Sequence, residues 1–173
     1  GFGVGIAAKK QLRRAFSTDD LSDGMLAWSD LWITIPVPPI GGKPEDDPVG
    51  LKLWAFDADT VDYMRGSDGK KIVANVGRTG LLSKSFGADE PVVLVCEGET
   101  DFLAAVSANL NAVTGTGGAG TWKDEWSEYV SDRTDAAVIC YDADDAGRRG
   151  ARKAADSLHA AAVDVHVVTL PDG

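Results

Sequence analysis

Two apolar runs that end abruptly in carboxylates constrain this chain more than any other feature. Residues 92–96 run into Glu97, Gly98, Glu99, Thr100 and Asp101, and residues 136–141 run into Asp142, Ala143, Asp144 and Asp145. Short continuous apolar runs rich in β-branched residues are the pattern of strands buried on both faces of a parallel sheet. In open α/β sheets, ligands and chemistry sit at the C-terminal edge of such strands. The pattern therefore predicts that Glu97, Asp142 and Asp144 meet at one sheet edge. Asp142 and Asp144 are two residues apart, and extended backbone projects i and i+2 to the same side. Carboxylates held together repel unless a proton or a cation neutralises them. Hard oxygen ligands with open positions suit Mg²⁺ or Mn²⁺ that also carries substrate phosphates.

The flanking residues support the two strand ends. Gly98 lets the backbone turn sharply. Asp101 then falls in a first helical turn, where a carboxylate is favoured by free N–H groups and the helix dipole. It is read either as a cap or as a partner that orients Glu97. Asp145 is expected to cap the helix that follows the second strand. From residue 91 onward strands and helices alternate: helix about 100–108, strand 112–114, a glycine-rich loop 115–120, helix 121–131, strand 136–141, helix 145–161 and strand 163–169. That order implies an α/β unit with a parallel sheet covered on both faces. Before residue 90 the chain is strand-rich: 31–37, a hairpin partner at 49–56, and a short strand at 72–76. A basic helix is expected within 9–16 (Lys9, Lys10, Arg13, Arg14), as a solvated face or a nucleic-acid contact. The texture changes near 87–91, which divides the chain into a small strand-rich α+β subdomain, 1–90, and an α/β domain, 91–173.

The net charge is −10 over 173 residues, which argues against a bulk polyanion binder but leaves room for a local basic groove. The two cysteines, Cys96 and Cys140, lie on the two buried strands without histidine partners. They form a poor zinc site and read as small buried hydrophobes. No apolar run approaches the twenty residues of a membrane helix. The first residues are glycine-rich rather than basic-then-apolar, so a cytoplasmic location is expected. The chain starts without Met and stops at Leu170-Pro171-Asp172-Gly173, and it is read as a fragment of a longer polypeptide.

Glu97-Gly98-x-x-Asp101 followed by Asp142-x-Asp144 with Ala146-Gly147 resembles the TOPRIM domain shared by bacterial-type primases, topoisomerases and related nucleases. The resemblance covers about residues 91–173, a Rossmann-like parallel-sheet domain. The continuation Ala146-Gly147-Arg148-Arg149, and the closing Leu170-Pro171-Asp172-Gly173, look most like bacterial and phage-type DNA primases and primase–helicases. The resemblance implies metal-dependent nucleotidyl transfer, with RNA primers made from nucleoside triphosphates on a single-stranded DNA template. It implies Mg²⁺ or Mn²⁺ on Glu97, Asp142 and Asp144, Glu97 in acid–base chemistry, and Asp101 in support. Asp172 is a further candidate for the cluster, and a replicative helicase in cis or in trans is an implied partner. The first lobe looks like the N-terminal subdomain of a primase polymerase core. Lys71, Arg78 and Lys84 there are the candidates for a basic ridge that meets template or nucleotide, or else ordinary surface charge. A zinc ribbon and a Gly-x-x-x-x-Gly-Lys-Ser/Thr phosphate loop are not in these 173 residues.

Three other readings compete. The same carboxylates suit phosphodiester hydrolysis by a TOPRIM-type nuclease. Gly115-Thr116-Gly117-Gly118-Ala119-Gly120 matches the Gly-x-Gly-x-x-Gly of a dinucleotide-binding module, with a strand ending in an acid some twenty residues later. A third reading keeps the fold as a non-catalytic interaction module.

Overall fold

A computed structural model describes residues 4–15, 21, 23–42, 46–83 and 91–171. The chain packs as two units, Gly1–Pro38 with Pro44–Thr79, and Pro39–Lys43 with Gly80–Gly173.

The first unit is built on one antiparallel sheet. Its elements are β1 (Gly5–Ala8), α1 (Lys9–Ala15), α2 (Asp23–Leu26), β2 (Leu31–Val37), β3 (Gly50–Asp57), β4 (Asp62–Tyr63) and β5 (Val73–Gly77). The order is β1-β2-β3-β4, with β5 also pairing with β3. β2 and β3 form the expected hairpin, Leu31 opposite Phe56 through Val37 opposite Gly50. Pro36 is tolerated in β2 because it lies past the end of β1, which pairs only as far as Thr34. Alternation then sends Trp32, Leu53, Ala55, Ala74 and Val76 into a core that Leu12 of α1 and Leu26 of α2 complete. Burying each of the larger side chains contributes about 1.5–3 kcal/mol. Gly77 (φ +72°) could not carry a side chain, since a Cβ would sit 2.6 Å from the Val49 carbonyl oxygen.

The second unit runs β6 (Leu81–Ser83), β7 (Val93–Cys96), α3 (Glu99–Ser107), β8 (Ala112–Gly115), α4 (Asp124–Ser131), β9 (Ala136–Cys140), α5 (Asp145–Ala160) and β10 (Asp164–Val168). The sheet order is β10-β9-β7-β8-β6. The first four strands are parallel, as the alternating pattern predicted, and β6 adds an antiparallel edge that the sequence did not signal. Val93, Val95, Val113, Ala137 and Ile139 pack on Trp122, Trp126, Val130, Ala154 and Leu158, a core formed with α4 and α5. α3, with Phe102 and Ala105 buried, packs against β7 and β8.

The helix expected at 121–131 is shorter. A single 3₁₀ turn (Ala119–Thr121) precedes α4, and Trp122 meets Trp126 edge to face at 5.7 Å. That geometry removes the dinucleotide reading. A Cβ on Gly115 would lie 2.4 Å from the Trp126 ring, so this glycine admits an indole, and α4 begins several residues beyond the loop. Among the described residues no helix is long and apolar enough to cross a membrane.

Candidate functional site

Cys96 and Cys140, the last residues of β7 and β9, are in-register neighbours. Glu97 and Asp142 therefore leave the sheet side by side at its C-terminal edge. The Asp142 N–H donates to Glu97 Oε2 at 2.9 Å, which ties the two strand ends together across 45 residues of sequence. Glu97 is half-buried, and that burial pushes its carboxyl above the ordinary carboxylate range. The Asp142 N–H opposes the rise, while the nearby charges of Asp142, Asp144 and Asp101 add to it.

Asp144 also joins the cluster, by a route the i, i+2 spacing did not foresee. β9 ends at Cys140, so Asp142 and Asp144 stand on a loop bending into α5 rather than on a strand. Asp144 is the N-cap of α5, in extended backbone (φ −83°, ψ 173°), and its Oδ1 accepts from the Gly147 N–H at 2.7 Å. The expectation that Asp145 caps this helix is thereby corrected. Asp145 sits in the first turn, exposed, with Oδ1 accepting from Arg148 Nη2 at 2.7 Å. The Arg148 hydrogen bond, then the charges of Arg148 and Arg149, hold its carboxyl below the usual range.

Asp101 lies in the first turn of α3, whose N-cap is Gly98 and which has no side-chain cap. It is exposed, and its charge acts on Glu97, Cys96 and Cys140 at the strand ends. The Cys96 thiol is pushed up to about 12, chiefly by burial.

Two residues at this edge entered the sequence reading only as part of a motif, with no structural role of their own. Gly147 allows α5 to approach the carboxylates: a Cβ there would lie 2.2 Å from the Asp142 carbonyl oxygen and 2.7 Å from Glu97 Oε2. Arg148 donates from Nη1 to the Ala143 carbonyl, and so grips the Asp142–Asp144 loop from α5. The Ala146-Gly147-Arg148 string was visible, but its close approach is a tertiary fact.

The basic candidates belong to the first unit or lie outside the described residues. The Lys71 ammonium sits over the Tyr63 ring at 4.5 Å and the Trp54 ring at 5.5 Å, a cation–π seat that sequence did not reveal. Arg78 has an exposed side chain, and its N–H donates to the Val49 carbonyl at 3.0 Å. Lys84 and Asp172 lie outside the described residues.

Among the described residues no three His, Cys, Asp or Glu side chains form a metal cage as they stand. The donor chemistry nevertheless fits a hard divalent cation shared with a ligand. One oxygen each of Glu97 and Asp144 accepts from a backbone N–H, which orients the carboxylates, and the Asp142 carboxylate makes no hydrogen bond to a described residue. Mg²⁺ is characteristically held by one or two carboxylates, with waters and phosphate oxygens completing its shell.

Residues 94–173 match the family model described as Toprim-like. The chain is 29% identical over 112 residues to a DNA primase of Aquifex aeolicus (strain VF5), an alignment covering 64% of this chain and 22% of that protein. The chain thus spans about a fifth of the length of that curated relative. The E. coli primase catalytic core superposes with a TM-score of 0.62 at 18% identity, over 99% of this chain and 60% of that one. A primase catalytic domain solved bound to single-stranded DNA superposes with a TM-score of 0.57 at 22% identity, over 82% of this chain and 46% of that one. At these identities the two likenesses establish the fold.

Proposed function

We propose that this chain, whose residues 94–173 form a TOPRIM-like domain and whose fold is that of a primase catalytic core, makes RNA primers on single-stranded DNA from nucleoside triphosphates. The reaction is metal-dependent nucleotidyl transfer. The observation that carries this reading is the tie between Glu97 and Asp142 across adjacent strand ends, with Asp144 anchored beside them by the first turn of α5.

Asp142 and Asp144, with Glu97, would hold Mg²⁺ or Mn²⁺. Such an ion, when bound, neutralises phosphate charge and acidifies the attacking hydroxyl. The chain's own residues supply orientation and proton transfer. The Asp142 N–H fixes Glu97 through Oε2 and leaves Oε1 outside that bond. The raised affinity of Glu97 for a proton suits a base that accepts one from a primer 3′-hydroxyl. Asp101, whose charge adds to that affinity, would support Glu97. Lys71 and Arg78, with Lys84, would take template or nucleotide phosphates, a contact that weakens with salt. A replicative helicase, in cis or in trans, is the partner such a core would serve, in the cytoplasm.

The test is Mg²⁺-dependent incorporation of ribonucleotides on a single-stranded template by the intact polypeptide. Glu97→Gln and Asp142→Asn are each expected to lower it by about a hundredfold or more, the scale of a lost base or charge-stabilising group. Undiminished incorporation in either variant would falsify the assignment. Degradation of the template without incorporation would assign the cluster to hydrolysis instead.

A further inference from the structure

Beside the carboxylates, a groove of about 630 Å³ runs from the Asp142–Ala143 loop along α5 and β10. Asp142 contributes to its wall. Its lining is largely apolar, with Ala151, Ala155, Val167 and Leu170 among the residues, and Val167 and Leu170 remain 52% and 36% exposed. Arg148 and Arg152, a helical turn apart on α5, also line the groove. Arg148 is engaged by Ala143 and Asp145, whereas Arg152 makes no hydrogen bond or ion pair to any described residue. The lining also includes Thr169, which carries a hydroxyl.

An arginine without an anion, above an apolar lining, in a chain of net charge −10, is selective about its ligand. A bare phosphate would leave the apolar surface wet, and a purely apolar ligand would leave the guanidinium unused. A flat ring joined to a phosphate satisfies both, with charge-assisted bonds to the guanidinium and area buried on the lining. The volume falls in the range of small-ligand sites. We propose that this groove seats a nucleoside phosphate, its phosphate on Arg152 and its base against Ala155 and Val167. The choice of nucleotide rests on the proposed function above. The nucleotide is either free or the terminal residue of a strand.

The test measures binding to the intact polypeptide in EDTA, so that no metal bridges phosphate to the carboxylates. The probes are a fluorescent ATP analogue and, separately, a labelled RNA trinucleotide. Arg152→Glu is expected to weaken binding at least about tenfold, the effect of losing a charge-assisted bond. Lys153→Glu makes the same charge change one residue along α5, where Nζ donates to the Gly120 carbonyl at 2.8 Å, and is expected to change binding less than about twofold. Ala155→Phe should fill the groove and weaken binding while thermal melting reports its fold, and Arg152→Ala carries the test if that variant does not fold. Binding of the ATP analogue alone identifies a free nucleotide, and binding of the trinucleotide alone identifies a strand end. Equal losses in the Arg152 and Lys153 variants, or no Arg152-dependent binding of either probe, would overturn the proposal. Arg152-dependent binding in a protein that makes no primer would sink the proposed reaction and leave the groove standing. Primer synthesis without such binding would do the reverse.

Discussion

Gly147→Ala is the substitution that most directly probes how the fold holds its carboxylates. Within a helix, alanine in place of glycine ordinarily stabilises by about 0.5–1 kcal/mol. Here the added Cβ would fall 2.2 Å from the Asp142 carbonyl oxygen and 2.7 Å from Glu97 Oε2. The nearer atom is backbone and cannot swing away, so α5 or the 142–144 loop must shift. Overpacking of this kind costs roughly 1–3 kcal/mol. A shift of α5 also strains the Asp144 cap on the Gly147 N–H, worth about 1 kcal/mol. Steric cost outweighs propensity, and a net loss of about 1–3 kcal/mol is expected, or roughly 2–12 °C in melting temperature for a chain this long. Two other glycines separate stability from chemistry. Gly150→Ala drives a Cβ to 2.4 Å from the Ala119 carbonyl, a comparable clash that does not involve the carboxylates, and Gly120→Ala meets nothing within 4 Å. Calorimetry should rank Gly120→Ala with the parent and both helix variants below it. Primer synthesis, measured cold enough that every variant is folded, should fall at least about tenfold in Gly147→Ala alone, the scale of a small misplacement of catalytic groups. A Gly147→Ala protein that melts at or above the parent would refute the close-approach reasoning. Equal activity losses in Gly147→Ala and Gly150→Ala would refute its link to the site.

Three further outcomes follow from the same geometry. Asp144→Ala should lower stability by about 0.5–2 kcal/mol through the lost cap, seen as an earlier urea midpoint, while Asp145→Ala leaves the midpoint where it was. In EDTA, the raised folded-state pKa of Glu97 means that the unfolded chain releases this proton first, so stability falls as pH rises from the ordinary carboxylate value through the folded one. Glu97→Gln should remove that part of the slope, and urea midpoints between pH 4 and 7 that run parallel in parent and variant would contradict it. With its thiol pushed up to about 12, Cys96 should resist iodoacetamide at pH 8 in the native protein and react once urea unfolds it, as mass spectrometry of the labelled peptides can read.

The parts of the fold legible in sequence were those with a local cause. Parallel strands showed as apolar runs cut off by Glu97 and Asp142, and the β2–β3 hairpin showed as two runs across a proline-containing turn. β6 was not legible, because three residues carry no period and their pairing with β8 depends on a partner some thirty residues away. Lys71 was picked for its charge, but the rings beneath it come from β3 and β4, whose register no local pattern specifies.

The two aspartates at the start of α5 show the same limit at the scale of one residue. Asp144 and Asp145 both stand at the start of an alanine-rich helix, and either could cap it by type alone. The choice depends on where the helix begins, and that depends on β9 ending at Cys140 and on Gly147 permitting α5 to close against Asp142. Once α5 is set there, Asp144 has the extended backbone of a cap and Asp145 is turned toward Arg148. The cap bond takes only Oδ1, so a single side chain starts the helix and keeps its second oxygen outside that bond. Moving the cap to Asp145 would shift the start of α5 by one residue and rotate the helix by about 100°. Gly147 would then no longer face the carboxylates, and the position of Asp144 in the cluster follows from the same contact that makes a glycine necessary three residues later.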